Sequence, residues 1–165
     1  MIMFEAYDYF QNICNSLYAT AGVYKFTRST GLPYMEELLQ NFKSETAFFT
    51  VDDTNDGMTI RGEGGGFFDR RQYVVFLIKK YKYNDMDAQH AVMEETRGIY
   101  RSIESKLLKD RVALANNMAF LHLDRMPYYE IPGYAFNGAG GLYFIITVDQ
   151  PKDLQYDANE WCIGQ

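Results

Sequence analysis

The apolar positions of this chain change period several times, and the changes mark its elements. Phe10, Ile13, Cys14, Leu17 and Tyr18 recur at helical spacing, with Gly22 ending the run. Thr27 to Gly31 reads as a polar turn. Pro33 then suits the first position of a second, short helix with Met35, Leu38, Leu39 and Phe42 inward and Glu36 and Glu37 in its favourable first turn. From Glu45 the pattern shortens. AFFTV and MTIRGE read as two short strands, joined into a hairpin by the turn-forming DDTNDG between them. Gly62 to Gly66 loosens the chain ahead of Gln72–Lys80, a Tyr-, Val-, Phe- and Ile-rich run that fits a strand buried on both faces.

The longest helical signal follows the Tyr83-Asn84 turn. Ala88, Val92, Thr96, Ile99, Ile103 and Leu107 fall at spacings of three and four, with Met93 and Tyr100 beside them. Glu94, Arg97, Arg101 and Ser105 lie on the opposite face. Asn84 or Asp85 can cap the start, where Asp85 and Asp87 suit the positive end of the helix. Lys106, Lys109 and Arg111 suit the negative end. Such a helix reaches roughly 35 Å. Beyond it, VALANNMAFLHLD divides into a possible helical continuation and a strand. Pro127 and Pro132 bracket YYEI as a short strand or edge, Gly138 to Gly141 reads as a flexible connection, and LYFIITVD is a strand. The pattern therefore predicts one α+β domain over residues 1–165. It comprises a mostly antiparallel sheet packed against one long helix (45–165) and a helical N-terminal part (1–44).

Composition adds little to this and charge adds more. The 165 residues suit one domain with a sizeable core, and 14 Tyr and 12 Phe are compatible with large protein contacts. The net charge of −6 argues against a nucleic-acid coat. It is distributed unevenly. Residues 1–68 carry four basic and nine acidic side chains (−5), residues 69–111 ten and seven (+3), and residues 112–165 two and six (−4). A basic centre between acidic flanks can attract copies of itself head to tail. Cys14 and Cys162 match no metal or redox spacing and are expected to be reduced thiols. The first residues have no signal-peptide pattern, and the uncharged runs YVVFLI and LYFIITV are too short to cross a bilayer as helices, so no membrane association is expected.

Each candidate for chemistry has a plainer structural explanation. Asp52, Thr54, Asp56, Gly57 and Glu63 stand at positions 1, 3, 5, 6 and 12 of a calcium-loop pattern, but both flanks read as strands, and Asp, Asn and Gly equally make turns. Gly62–Gly66 lacks the Lys-Ser/Thr of a phosphate loop. Asp85 and Asp87 could hold a divalent ion, but helix capping accounts for both. Glu94 and Glu95 are adjacent and point apart. His90 and His122 sit in no metal pattern, and no G-x-S-x-G elbow is present; His90 reads as a surface residue and His122 as half buried. Lys79, Lys80, Tyr81, Lys82 and Tyr83 interleave bases with aromatics, as single-strand nucleic-acid grooves do, though the acidic total argues against that use. The plainer reading is a strand end whose lysines block edge pairing; as a functional feature, the cluster would face an acidic patch of another subunit.

The succession QYVVFLIKKY, long helix to Leu108, GGLYFIITVDQP and terminal YDANEW resembles the small tail-completion proteins of tailed bacteriophages, especially the tail terminators. The likeness lies in the order of elements. It implies a ring-forming, non-enzymatic structural protein without a cofactor, whose partners are itself, the tail tube and the head–tail connector. It also implies assembly in the host cytoplasm and a final place in the virion. The alternatives are a small protein-binding module of a mobile element and a divalent-metal hydrolase using Asp52, Asp56, Asp85 or Asp87.

Overall fold

The computed structural model describes residues 4–41, 43–44, 46–52, 54, 56–115, 120–133 and 138–162, with backbone alone at 32 and 33. Among these, the order is α1 (Ala6–Ser16), β1 (Lys25–Arg28), α2 (Gly31–Asn41), β2 (Ala47–Asp52), β3 (Gly57–Arg61), β4 (Phe67–Lys80), α3 (Met86–Val112), β5 (Tyr128–Ile131), β6 (Ala139–Lys152) and a 3-10 turn (Ala158–Glu160). The fold is α+β, with one six-stranded sheet ordered β1-β2-β4-β6-β5 and β3 also paired to β4. Only β1 and β2 run parallel.

The spine is the antiparallel pair β4–β6, in register from Phe67 opposite Lys152 to Lys80 opposite Ala139. Side chains alternate across the sheet, so each strand feeds two cores. On one face Val75 and Leu77 of β4, Phe49 and Val51 of β2, and Leu142, Phe144 and Ile146 of β6 pack with α1 and α3. Phe10 and Ile13 enter from α1, and Ile99, Tyr100, Ile103 and Leu107 from α3. Tyr100 lies 4.9 Å from Phe144 between ring centres, which seats the long helix over β6. At 27 residues α3 spans about 40 Å, and its buried stripe contains five of the six predicted positions, Ala88 being half-buried. Asp85 is the cap: its side chain accepts from Ala88 N at 2.9 Å.

The opposite face is smaller. Met35 of α2 packs with Phe76, Ile78, Ile131 and Ala139, and Leu39 and Val74 border them. Asp52, at the end of β2, fastens this helix. Its Oδ2 accepts from Gly31 N at 2.8 Å, placing a carboxylate at the positive end of α2.

Several expectations change. Of the expected Thr27–Gly31 turn, Thr27 and Arg28 belong to the strand Lys25–Arg28 and Gly31 begins α2; parallel pairing with β2 supplies hydrogen bonds that the short sequence does not advertise. Tyr18 lies beyond the end of α1 and is fully exposed, so the helical stripe stops at Leu17. The fourth inward position expected for α2, Phe42, falls outside the described residues. β2 and β3 do not pair with each other. Both lie against β4, with Asp52 opposite Val74 and Gly57 opposite Arg71, so they form one interrupted strand. The hairpin is instead β3–β4, closed over Gly62–Gly66 by Gly62 N donating to Gly66 O at 2.8 Å. Gly140 and Gly141 are buried residues of β6, not a flexible connection. Between α3 and β5, Leu121 makes only an isolated bridge to Val148 in place of the strand read there, and residues 116–119 lie outside the described part.

Candidate functional site

The residues of the calcium pattern serve separate structural tasks. Asp52 Oδ1 accepts from Thr54 N at 3.1 Å and from its hydroxyl at 2.6 Å, while Oδ2 holds Gly31. Asp56 O accepts from Gln72 N. Glu63 stands in the β3–β4 turn, at the other end of β3 from Asp56. Among the described residues no group of three His, Cys, Asp or Glu side chains is placed to hold a metal ion. Asp85 caps α3, and Asp87 and His90 are exposed on its first turns.

The Lys–Tyr cluster divides between surfaces because β4 alternates. Lys79 faces α3 and bonds Glu95 at 2.6 Å, and Tyr24 donates to the same carboxylate at 3.2 Å. Burial, reinforced by that carboxylate, raises the Tyr24 phenol well above its ordinary pKa. Lys80 faces the other way, 5.5 Å from the Phe48 ring centre. Tyr81 packs against Gly133 and Gly140, its N donating to Gly138 O at 2.8 Å. Lys82 and Tyr83 are exposed in the following turn. β4 is a central strand, so these lysines do not protect an edge.

The strongest polar constellation was not legible in the sequence. Arg70 and Asp149 sit directly opposite on β4 and β6, and the guanidinium grips the carboxylate twice, at 2.7 and 2.8 Å. His122 Nε2 lies 2.8 Å from the same Asp149 Oδ2. An ionised carboxylate only accepts, so in this contact Nε2 donates; the Arg70 guanidinium also lies 3.3 Å from Nε2, and Nδ1 is 3.8 Å from Asp124. Hydrogen bonds from Arg70 chiefly, then the His122 interaction, hold the Asp149 carboxyl below its usual range. The ring is thus tied to charged neighbours. The arrangement clasps β4, β6 and the segment before β5, and it supplies no serine or thiol nucleophile of the kind an acyl-transfer site requires.

The larger feature is the sheet face that α2 leaves partly open. Tyr129 stacks on Tyr143 with ring centres 5.0 Å apart, and Tyr143 in turn meets Phe76 at 5.3 Å. Tyr128 and Tyr129 of β5 are each about half exposed. In the β3–β4 hairpin, whose β4 strand also pairs with β6, Met58 and Phe67 are open to solvent, and Phe68 packs on exposed Phe120. After β6 the chain leaves the body. Residues 153–162 are all exposed, including Tyr156 and Trp161. No described helix is long and apolar enough to cross a membrane. Against known proteins, no family model matches this chain and no curated protein matches it.

Proposed function

We propose that this protein is a structural subunit whose copies join into a ring at the head–tail junction of a tailed phage or prophage, in the manner of a tail terminator. The resemblance in element order supports the phage assignment. The observation that carries the assembly reading is the partly roofed sheet face. Its Tyr129 and Tyr143, backed by the buried Phe76, offer aromatic bodies with polar tips to whatever covers them. The alternation of acidic, basic and acidic thirds along the chain suits one contact repeated around an axis. The direct test is sedimentation velocity and electron microscopy of the purified chain at rising concentration, alone and with its candidate tail-tube protein. Closed rings, or addition to tube ends, are expected. A chain that remains monomeric and ignores the tube overturns the reading. If that monomer captures a different protein through the Tyr129–Tyr143 face, the alternative of a protein-binding module takes its place.

A further inference from the structure

We infer that the C-terminal segment Asp153–Cys162 is an arm that docks in the groove between α1 and α3 of a second copy; this rests on the self-assembly reading above. The arm has hydrogen bonds and a ring contact of its own. Asp153 Oδ1 accepts from Gln155 N at 2.9 Å, and Asp157 caps the 3-10 turn by accepting from Asn159 N at 2.9 Å. That turn folds Trp161 back onto Tyr156, with ring centres 5.9 Å apart and planes 25° from parallel. The two rings remain 61% and 63% exposed. A shaped aromatic knob held in water gains most by insertion into another surface, because its ordering cost is already met. Its chemistry also constrains the acceptor: the segment carries Asp153, Asp157 and Glu160 beside the two aromatic residues in sequence and contains no cation.

Three concavities can be compared for that acceptor. The one beside β6 is lined by Asp124 and Asp149 together with Arg111 and His122, and the one under α2 by Glu36 together with Lys80, so in each a carboxylate offsets the cation and faces an acidic arm. The α1–α3 groove has no carboxylate in its lining. Ile13 and Leu17 give it an apolar wall, Ser102 and Ser105 give hydroxyls, and Lys106 and Lys109 give cations. Lys106 is held by Asp110, and Lys109 is exposed in the last turns of α3. The space is about 350 Å³, within the range that accepts a compact organic group such as an indole. Arm and groove are different surfaces of one chain. When each arm enters the groove of the next copy, instead of being exchanged within a pair, the contact is heterologous and propagates from copy to copy, as a ring requires.

The test uses full-length chains carrying exposed substitutions. Tyr156→Ala with Trp161→Ala removes the knob, and Lys109→Glu reverses the groove charge; thermal melts near wild type verify folding. In sedimentation velocity each variant alone should associate at least about tenfold more weakly than wild type, as expected when a central aromatic anchor or its charged partner is lost. Mixed in equal amounts, the two variants retain one good arm and one good groove between them, so the mixture should form dimers and stop there. Wild-type assembly by both variants, or a mixture no more associated than its components, overturns the arm while leaving the ring reading intact. A wild-type chain that never associates sinks both.

Discussion

The phenol of Tyr9 donates to Asp110 Oδ2 at 2.9 Å, joining α1 to the end of α3 across 101 residues of sequence. Both groups are buried, and Lys106 approaches the same carboxylate from one turn earlier. Burial first, and then the Asp110 hydrogen bond, drives the Tyr9 pKa far upward, so the phenol remains a donor at any ordinary pH. The Tyr9→Phe variant keeps the ring and loses this bond. It should lower stability by about 1–2 kcal/mol, the range for a hydrogen bond to a charged group. Urea denaturation with an unchanged slope and a lower midpoint is the expected result; an unchanged midpoint would mean that the Tyr9 hydroxyl adds nothing to the hold on Asp110.

Asp149 gives a pH signature. Its folded pKa is depressed by Arg70, so the stability it contributes is fully present above the unfolded carboxylate range and is lost as pH falls through the lower folded value. The Asp149→Asn variant, which leaves Arg70 without its carboxylate, should be less stable than wild type by about 1–2 kcal/mol at pH 7. The gap should narrow below about pH 4, where the unfolded chain begins to bind the proton. Denaturation curves between neutral and acid pH read it directly, and a gap independent of pH would contradict the assignment.

The two cysteines should separate chemically. Cys14 is buried, and burial pushes its thiol up to about 11 despite the Thr20 hydroxyl. At pH 8 only about one part in a thousand is thiolate, the form that reacts. Cys162 is exposed at the end of the arm. Alkylation followed by mass spectrometry should label Cys162 first and Cys14 only on unfolding. Comparable rates would mean that α1 opens readily from the sheet.

Gly141 has the tightest backbone constraint in the spine. A Cβ there would lie 1.9 Å from Leu77 O, and its φ of +151° is one that side-chain-bearing residues rarely adopt. Gly141→Ala should cost about 3 kcal/mol or more, because backbone must move in the middle of the β4–β6 ladder. A thermal melt near wild type would show that the ladder can shift register at that end.

Asp52 distinguishes a fastener from a ligand. Asp52→Ala should lose about 1–2 kcal/mol by freeing the start of α2, in the manner of a deleted helix cap. Millimolar calcium should leave the melting temperature of the wild-type chain unchanged. A calcium-dependent rise abolished by the same substitution would revive the metal reading.

Legibility in the sequence followed the range of the determining interactions. The long helix and the two long strands could be read because Val92, Ile99 and Ile103, or Val75 to Ile78, carry their own period and burial. β1 could not, since KFTR becomes a strand only by lying beside Phe48–Val51. DDTNDG was misread because the residues that make a hairpin turn also make an interruption between collinear strands; the choice was set by where β4 runs. The Arg70–Asp149–His122 clasp left no local signal, its members being 79 and 27 residues apart. The polar run that precedes Trp161 agrees with the exposure of the whole segment, but the stacking of Trp161 on Tyr156 left no local signal.

The β4–β6 ladder also governs how the molecule comes together. Its nearest partners, Lys80 and Ala139, are separated by the whole of α3 and β5, and its farthest, Phe67 and Lys152, by more. No part of the ladder can form by local zipping. The entropy of closing that large loop has to be met before the sheet returns any of it. A long helix formed early shortens the effective distance, so α3 acts as a scaffold for strand pairing as well as a cover for it. The newly made chain consequently passes through a period in which β4 has no central partner, when its Val- and Phe-rich edge is open to the wrong neighbour.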